Sequence, residues 1–260
     1  KSAKHRNNWL ETIETTFNQA KETNDKKRML VLAPRSHGKS LLAISFCLRQ
    51  ICMNRNTSIL FISASAVGIY GNHPHNIATE QTEPATDFLG TVCRDWEKAA
   101  DSAREAGIRV VHPRMGVVLS GQGGALKKML PAFLAGGGGR LGSGKQWMPW
   151  VALEDVLGMM LMLLFDTTIV GPVNVVSSEP VQNTAFTKTL GTVIRRPTLI
   201  PVPGFAIQTL FGEMGKTLLL EGRQVKPTVA LEKGFAYQHA NLEQALRFEL
   251  GRFTTTSESI

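Results

Sequence analysis

The stretch Ser58–Gly71, S-I-L-F-I-S-A-S-A-V-G-I-Y-G, decides the fold that we expect for this chain. It opens with the apolar run Ile59–Ile62, bounded by polar residues, which is typical of a strand buried on both faces of a parallel sheet. Small residues follow, and then Gly68, Tyr70 and Gly71. The carboxyl ends of parallel strands line a crevice where ligands bind, and small residues there let a flat ligand approach the backbone. The alternative is a plain core strand followed by a tight turn.

The composition is that of an ordinary globular protein, with 43% hydrophobic and 19% charged residues among 260. This length allows one large α/β domain or two small ones. No amino-terminal segment resembles a signal peptide, and the longest apolar run, Val156–Phe165, is shorter than the ~20 residues that span a bilayer. The three cysteines lack C-x-x-C spacing, which argues against a structural zinc site and for a reducing compartment. We therefore expect a cytoplasmic protein with no membrane partner.

The net charge of +8 is concentrated at the amino-terminal end of the chain, where residues 1–65 carry 11 Lys or Arg against 4 Asp or Glu. A basic region attracts phosphate, either as nucleotide or as nucleic acid. The alternative is a basic helix face that is simply solvated.

A phosphate-loop motif lies inside this basic region. The strand predicted over Met29–Ala33 runs into A-P-R-S-H-G-K-S, and a helix pattern follows. Strand, tight loop, Gly-Lys-Ser and helix form a phosphate-binding arrangement, in which backbone N–H groups at the helix start point at the phosphate. Gly38 and Lys39 would then hold phosphate, and Ser40 would ligate the Mg²⁺ of a bound ATP. Ala33 stands where the usual motif has its first glycine.

This motif and the basic segment before it resemble the ATPase domain of phage terminase large subunits, over about residues 6–66. The resemblance implies ATP-driven DNA packaging and a nucleic-acid partner, with Arg35 as a charge-stabilising residue. A phosphate-loop ATPase also needs an acidic residue at the end of a second apolar strand. After Ser40, however, no four-residue apolar run ends in Asp-Glu, and Val151–Asp155 is predicted to open a helix.

From Ala64 onward, predicted strands alternate with predicted helices, which indicates a parallel α/β sheet. The strands are expected at 108–111, 116–119 and 173–176. The helices are expected at 88–106 with Asp87 as the cap, at 124–134, at 153–165, from Asn183, and in most of the remaining chain, including 205–213, 216–220, 228–233 and 242–250.

Several phrases in this region resemble the epimerase-family branch of atypical extended short-chain dehydrogenase/reductases, over about residues 59–250. They are S-A-S-A-V-G-I-Y-G, D-F-L-G-T-V-C-R-D-W-E-K-A-A, M-G-V-V-L-S-G-Q-G-G-A-L, L-G-S-G-K-Q-W-M-P-W-V-A-L-E-D-V, G-P-V-N-V-V-S and E-G-R-Q-V-K-P. The resemblance implies a Rossmann-like three-layer parallel sheet, partly replaced at its amino-terminal end by the phosphate-loop strand, loop and helix. It also implies a small, mostly helical carboxyl-terminal substrate domain. We accordingly divide the chain into 1–66, 67–180 and 181–260.

The same resemblance implies that NADP(H) is the cofactor and places the nicotinamide between two segments of the chain. Ser65 corresponds to the hydroxyl that donates to the substrate carbonyl, and Tyr70 is the candidate proton donor. Arg114, Gly116 and Val117 are the candidate cofactor-binding residues of the facing segment. The alternative for Tyr70 is a ring that packs in the loop with its hydroxyl bonded to a backbone carbonyl.

Two departures from the family pattern bear on function. The amino-terminal glycine-rich dinucleotide fingerprint is absent, and the terminase-like segment occupies its place. The Tyr-x-x-x-Lys pair used for proton transfer elsewhere in the superfamily is also missing, and Leu89 and Cys93 stand at its expected positions. We interpret the chain as an NAD(P)-binding, oxidoreductase-like epimerase-family protein acting on an unknown small molecule, with its activity left open. The alternatives are an ATP-binding terminase fragment and a non-functional fusion.

Overall fold

The computed structural model describes residues 60–205, 209 and 220–252, and these residues belong to one compact unit that starts at Leu60. The predicted strand at 29–33 and the phosphate-loop residues Gly38, Lys39 and Ser40 lie outside the described residues. So do most of the helices expected at 205–213 and 216–220. The division of the chain at residues 66 and 180 stays a prediction.

The described residues form short strands and helices that alternate along most of the chain. The strands are β1 (Leu60–Ile62), β2 (Ser65–Ala66), β3 (Arg109–Met115), β4 (Val117–Leu119), β5 (Trp147–Met148), β6 (Trp150–Ala152), β7 (Gly171–Val175) and β8 (Val181–Gln182). The helices are α1 (Phe88–Lys98), α2 (Asp101–Glu105), α3 (Gly124–Leu134), α4 (Leu153–Phe165), α5 (Asn183–Ile194), α6 (Thr228–Glu232) and α7 (Leu242–Glu249), and a 3₁₀ turn spans Val67–Tyr70.

The central sheet is parallel, and β3 is its middle strand. On one side of β3, β1 and β2 pair in the same register, with Ile62 beside Val111 and Ser65 beside Arg114. On the other side, β7 pairs with the same part of β3. Thus β1 and β2 are two pieces of one strand. The residues of β1 are half-buried, so the expectation of full burial was wrong, and within the described residues β1 has a strand partner on one side only.

Strand β3 runs straight through Pro113, although the sequence predicted that the strand would end at Val111. The register places Ser63 and Ala64, the break between β1 and β2, beside His112 and Pro113. Proline cannot donate to a strand ladder. The ladder is therefore interrupted where the proline lies, and β3 itself continues.

Gly116 separates β3 from β4 and lets the chain change partners. Its N–H donates to the Val175 carbonyl at 3.0 Å, whereas the N–H of Val117 donates to the Pro149 carbonyl at 2.7 Å. A Cβ at Gly116 would lie 2.2 Å from the Pro149 oxygen, so only glycine fits this close approach. Beyond it, β4 pairs in parallel with β6, and β5 pairs antiparallel with β8.

Helices cover both faces of the central sheet, which gives three layers. Val111, Val173 and Val175 pack with Met159 and Leu163 of α4 on one face. Alternate residues of β3 and β7 face the opposite way, toward α1. A second cluster gathers α3, α5 and α7 around β4 and β6, with Trp150, Phe186 and Leu246 fully buried at its centre. The expected three-layer parallel α/β architecture is confirmed.

Most of the expected helices occur where the local pattern places them. Helix α4 has the predicted bounds, and α5 begins at Asn183 as expected. Asp87 caps α1 by accepting a hydrogen bond from the N–H of Gly90 at 2.7 Å. The single helix predicted over 88–106 is wrong, however, because the chain breaks at Ala99 and Ala100 and continues as the short helix α2.

Candidate functional site

A crevice opens at the carboxyl end of β2, the edge of a parallel sheet at which ligands bind. Its volume is about 390 Å³, at the small end of the range for ligand pockets. Three parts of the chain form it: the turn after β2, the loop that leads into α1, and the segment before α6. The lining residues are Tyr70, Asn72, His73, Glu83, Pro84, Ala85, Thr86, Asp87 and Arg223.

Gly71 makes the sharp turn that shapes this crevice. Its φ is +63°, and a Cβ there would lie 2.6 Å from the Cβ of Ala85 and 3.0 Å from a carboxylate oxygen of Asp87. A side chain would therefore be strained and would also push the loop away from α1. The glycine keeps the wall of the crevice close to the start of α1.

The hydroxyl of Tyr70 both donates and accepts a hydrogen bond. It donates to Oδ1 of Asn174 in β7 at 2.6 Å and accepts from Nη1 of Arg114 in β3 at 2.8 Å. The residue is fully buried, and burial raises its pKa, although Arg114 opposes that shift. A phenol in this setting stays protonated at neutral pH and ties the turn to two strands.

Arg114 forms a buried ion pair with Glu97 of α1. Its Nε and Nη2 donate to the two carboxylate oxygens, each at 2.8 Å, and the two side chains are 5% and 15% exposed. Burial alone would raise the pKa of Glu97, but the hydrogen bonds and charge of Arg114 outweigh it, and the pKa is lowered. Two parallel N–H···O bonds fix the orientation of the guanidinium.

Ser65 and His112 lie beside this ion pair. The Ser65 side chain is buried, and within the described residues its hydroxyl has no hydrogen-bond partner. His112 faces the same way as Arg114 along β3, and its Nε2 lies 3.3 Å from Nη2 of Arg104. Because a guanidinium only donates, Nε2 accepts this bond and the imidazole is neutral. Burial lowers the His112 pKa, which agrees with the neutral form.

Glu80 fastens the loop after Tyr70 to the carboxyl-terminal part of the fold. Its carboxylate accepts from the N–H of Asn174 at 3.0 Å and from those of Thr228 and Val229, at the start of α6, at 3.2 Å each. Ala78 adds a parallel bridge to Val225. These contacts hold the segment before α6 against the crevice.

The structure brings together three of the site residues predicted from sequence. Tyr70 and Arg114 are joined by a hydrogen bond, and Ser65 is the strand partner of Arg114 across β2 and β3. Tyr70 lines the crevice, whereas Ser65 does not. Gly116 and Val117 lie at the fork between β3 and β4, where Gly116 is required by the close approach to Pro149. The catalytic roles of Ser65 and Tyr70 stay predictions, as do the cofactor-binding roles of Arg114, Gly116 and Val117.

Four residues of this region were not singled out from the sequence: Glu80, Glu97, Asn174 and Arg223. Each is separated in sequence from its partners, by 17 residues for Arg114 and Glu97 and by 153 for Arg223 and Tyr70. Arg223 lies in the phrase E-G-R-Q-V-K-P, which carried part of the family resemblance, and that phrase was the available signal.

The positions that correspond to the missing Tyr-x-x-x-Lys pair offer no proton donor of that kind. Leu89 is half-buried with its side chain near Gly68, and Cys93 is 2% exposed in the core around Ile69. The arrangement supplies instead a buried, bonded tyrosine and a half-buried arginine beside an open crevice. Within the described residues, no helix is both long and apolar enough to cross a bilayer.

The parallel three-layer sheet with a crevice at its carboxyl edge defines a Rossmann-like α/β fold, and comparison with solved structures supports this class. Human epimerase family protein SDR39U1, isoform 2, crystallised with NADPH, matches with a TM-score of 0.73 and 29% identity. That match covers 83% of this chain and 73% of the human chain. UDP-glucose 4-epimerase from Thermus thermophilus, in complex with NAD, matches with a TM-score of 0.60 at 16% identity, over 80% of this chain and 67% of that one, and shows the fold alone.

Sequence relatives support the epimerase-like part of the chain. Epimerase family protein MT2273 from Mycobacterium tuberculosis is 40% identical over 191 residues, which are 74% of this chain and 64% of that protein. The chloroplastic SDR39U1 homolog from Arabidopsis thaliana is 39% identical over 188 residues, 72% of this chain and 54% of that protein. A family model described as a domain of unknown function, DUF1731, matches residues 202–249. The chain thus spans less than two thirds of the length of these relatives and is similar to epimerase family proteins over that part.

Proposed function

We propose that this chain is an NADP(H)-binding, epimerase-like protein whose crevice at the carboxyl end of β2 takes the small-molecule substrate. The observation that carries the proposal is the similarity to human SDR39U1, whose crystal structure contains NADPH. That protein is similar in both sequence and structure, and the crevice lies at the edge of the sheet where Rossmann-like folds bind ligands.

The sequence gives a reason to expect altered cofactor affinity and weak or absent turnover. A dinucleotide fingerprint holds the pyrophosphate on a glycine-rich turn at a helix start, and this chain lacks that turn. In the sequence, the motif Gly38–Ser40 precedes the strand that begins at Leu60, and motifs of this type bind phosphate through backbone N–H groups. We propose that this motif binds nucleotide phosphate. The same motif is also the observation that favours the second candidate, an ATP-binding terminase-like segment.

A fluorescence titration with NADPH, followed by competition with ATP, tests the proposal. NADPH should bind at least about tenfold more tightly than ATP, a difference of about 1.4 kcal/mol. Lys39→Ala should weaken the binding of both nucleotides, because the lysine contacts phosphate in such loops. Lys27→Ala, in the same basic region but outside the motif, serves as the matched control and should change neither. ATP binding more tightly than NADPH would contradict the proposal and favour the terminase-like alternative.

A further inference from the structure

Arg223 is a wall residue of the crevice, and its guanidinium is only partly used by the fold. Nη1 donates to the carbonyl of Tyr70 and Nε to the carbonyl of Asn76, each at 3.0 Å. A guanidinium has five N–H donors, so three remain beyond these two bonds. Within the described residues, Nη2 of Arg223 has no acceptor. The two backbone bonds hold the side chain in place at the edge of an open cavity.

Among the described residues, the charge of Arg223 has no carboxylate partner, in contrast to three other arginines. Three arginines of the described residues are paired with a carboxylate at 2.8 Å or less: Arg114 with Glu97, Arg104 with Asp101, and Arg247 with Glu243. In the same part of the chain, no carboxylate lies within ion-pair distance of Arg223. Burial lowers the pKa of Arg223, and no carboxylate contributes to that shift. Arg223 is partly exposed, so an anion in the crevice can reach its guanidinium and supply the missing counter-charge.

The other walls of the crevice limit which anions fit. The carboxyl groups of Glu83 and Asp87 line the same space, and Asp87 already accepts a bond from the start of α1. These acidic groups disfavour a ligand with several separate anionic groups. A ligand with one anionic group, directed at Arg223, satisfies the guanidinium and keeps its remaining atoms near the acidic wall. The volume of about 390 Å³ suits a small molecule.

We propose that Arg223 binds the anionic group, a carboxylate or a phosphate, of a small-molecule substrate in this crevice. Guanidinium groups donate charge-assisted hydrogen bonds to both anions, and Nη2 of Arg223 keeps its two N–H donors for such bonds within the described residues. This inference rests on the proposed function, because it assigns the class of substrate that the crevice takes. NADP(H) binding is expected not to depend on Arg223.

Line broadening in NMR titrations tests the inference, with inorganic phosphate followed by ³¹P and labelled acetate followed by ¹³C. The full chain should bind at least one of these probes, and Arg223→Gln should weaken that binding about tenfold or more. Arg223→Lys keeps the charge but loses the planar fork, so it should retain part of the affinity. Arg196→Gln is the matched control, since Arg196 also donates to a backbone carbonyl, that of Leu134, and is not part of the crevice. It should bind the probe as the wild type does.

The result also identifies the anion. Binding of phosphate alone assigns a phosphorylated substrate, and binding of acetate alone assigns a carboxylate. The inference is overturned if the wild type binds neither probe, if Arg223→Gln binds both as the wild type does, or if only Lys39→Ala abolishes the binding.

NADPH titrations on the same proteins separate the two proposals. A wild type that binds a probe through Arg223 but not NADPH refutes only the cofactor assignment, whereas loss of NADPH binding in Arg223→Gln shows that the arginine serves the cofactor and overturns the substrate assignment.

Discussion

Arg114 is a buried cation near the centre of the fold, and it forms hydrogen bonds with several partners. Arg114 pairs with Glu97, donates to the hydroxyl of Tyr70, and donates through Nη1 to the carbonyl of Glu80 at 3.2 Å. Each bond reaches a different part of the chain: helix α1, the turn after β2, and the loop that follows. Desolvating a charge is costly unless all of its bonds are made, so this network constrains all three segments together.

Removing the charge of Glu97 should therefore destabilise the protein strongly. Glu97→Gln leaves Arg114 buried with no compensating carboxylate, which typically costs about 3–5 kcal/mol when one partner of a buried pair is lost. Urea denaturation at neutral pH measures the change in the free energy of unfolding. Glu243→Gln is the matched control, because that carboxylate pairs with Arg247 one helical turn away and is 46% exposed. Its loss should cost at most about 0.5 kcal/mol, and an equal effect of the two variants would contradict the argument.

The same ion pair predicts how stability depends on pH. The pKa of Glu97 is lower in the folded protein than in the unfolded chain, where it is about 4.3. A carboxyl of this kind contributes stability above its unfolded pKa, and the contribution is lost as the pH falls through the folded pKa. The difference in unfolding free energy between the wild type and Glu97→Gln should thus be full at neutral pH and shrink below about pH 4. A difference that does not change in acid would contradict this role of Glu97.

Secondary-structure elements that are distant in sequence are joined by a few polar contacts at the crevice. Helix α6 has only five residues, Thr228–Glu232, too few to be stable alone. Glu80 accepts from two of its first N–H groups and from the N–H of Asn174 in β7. A carboxylate at a helix start satisfies donors that have no partner within the helix and also interacts favourably with the helix dipole. We infer that Glu80 fixes α6, and with it Arg223, beside the crevice.

Glu80→Gln should loosen α6 without unfolding the whole protein. The amide side chain offers one acceptor oxygen and no charge, so at least one buried N–H loses its bond, at a cost of about 1–3 kcal/mol. Hydrogen exchange followed by mass spectrometry should show faster exchange in Thr228–Glu232, by about tenfold or more, and little change in α4. Glu105→Gln, an exposed glutamate on α2, is the control and should leave α6 unchanged. Unchanged exchange in α6 of the Glu80 variant would show that packing alone fixes this helix.

Elements whose bounds depend on neighbouring residues were predicted well from the sequence. Asp87 caps α1 and α4 occupies Leu153–Phe165, because capping residues and apolar periodicity act within a few residues. The break at Ala99 and Ala100 was missed because neither residue disfavours a helix. The continuation of β3 through Pro113 was missed because it depends on a gap in the neighbouring strand, which no local pattern records.

The sequence of the whole chain contains a motif similar to a phosphate loop, followed by the strands and helices of a Rossmann-like α/β fold. The sequence predicted the three-layer parallel architecture and placed Ser65, Tyr70 and Arg114 at one edge of it, because the order of strands and helices largely determines which loops meet. It did not predict the partners of Arg114 or the position of Arg223. These features depend on contacts between residues up to 153 positions apart. No periodicity or motif spacing in the sequence indicates such contacts.

The phosphate-loop motif in the sequence is not sufficient for an ATPase, and we expect negligible ATP hydrolysis. Such enzymes hold Mg²⁺ and position water with an acidic residue at the end of a neighbouring strand. In the described part of the central sheet, the strands are followed directly by Ser63, Val67, Gly116 and Val176. Asp155, shortly after β6, is 1% exposed, and its carboxylate already accepts from the N–H groups of Gln238 and His239 at 2.7 and 3.2 Å.

Phosphate release from ATP, measured with and without Mg²⁺, tests this expectation on the intact chain. The wild type should release phosphate no faster than buffer without protein. Ser40→Ala removes the hydroxyl that would ligate Mg²⁺, and it should give the same low rate. Ser36→Ala, in the same loop but outside Gly-Lys-Ser, is the matched control. Mg²⁺-dependent release that disappears in Ser40→Ala and persists in Ser36→Ala would show that the chain does contain the acidic partner and that the terminase-like sequence is a working ATP site.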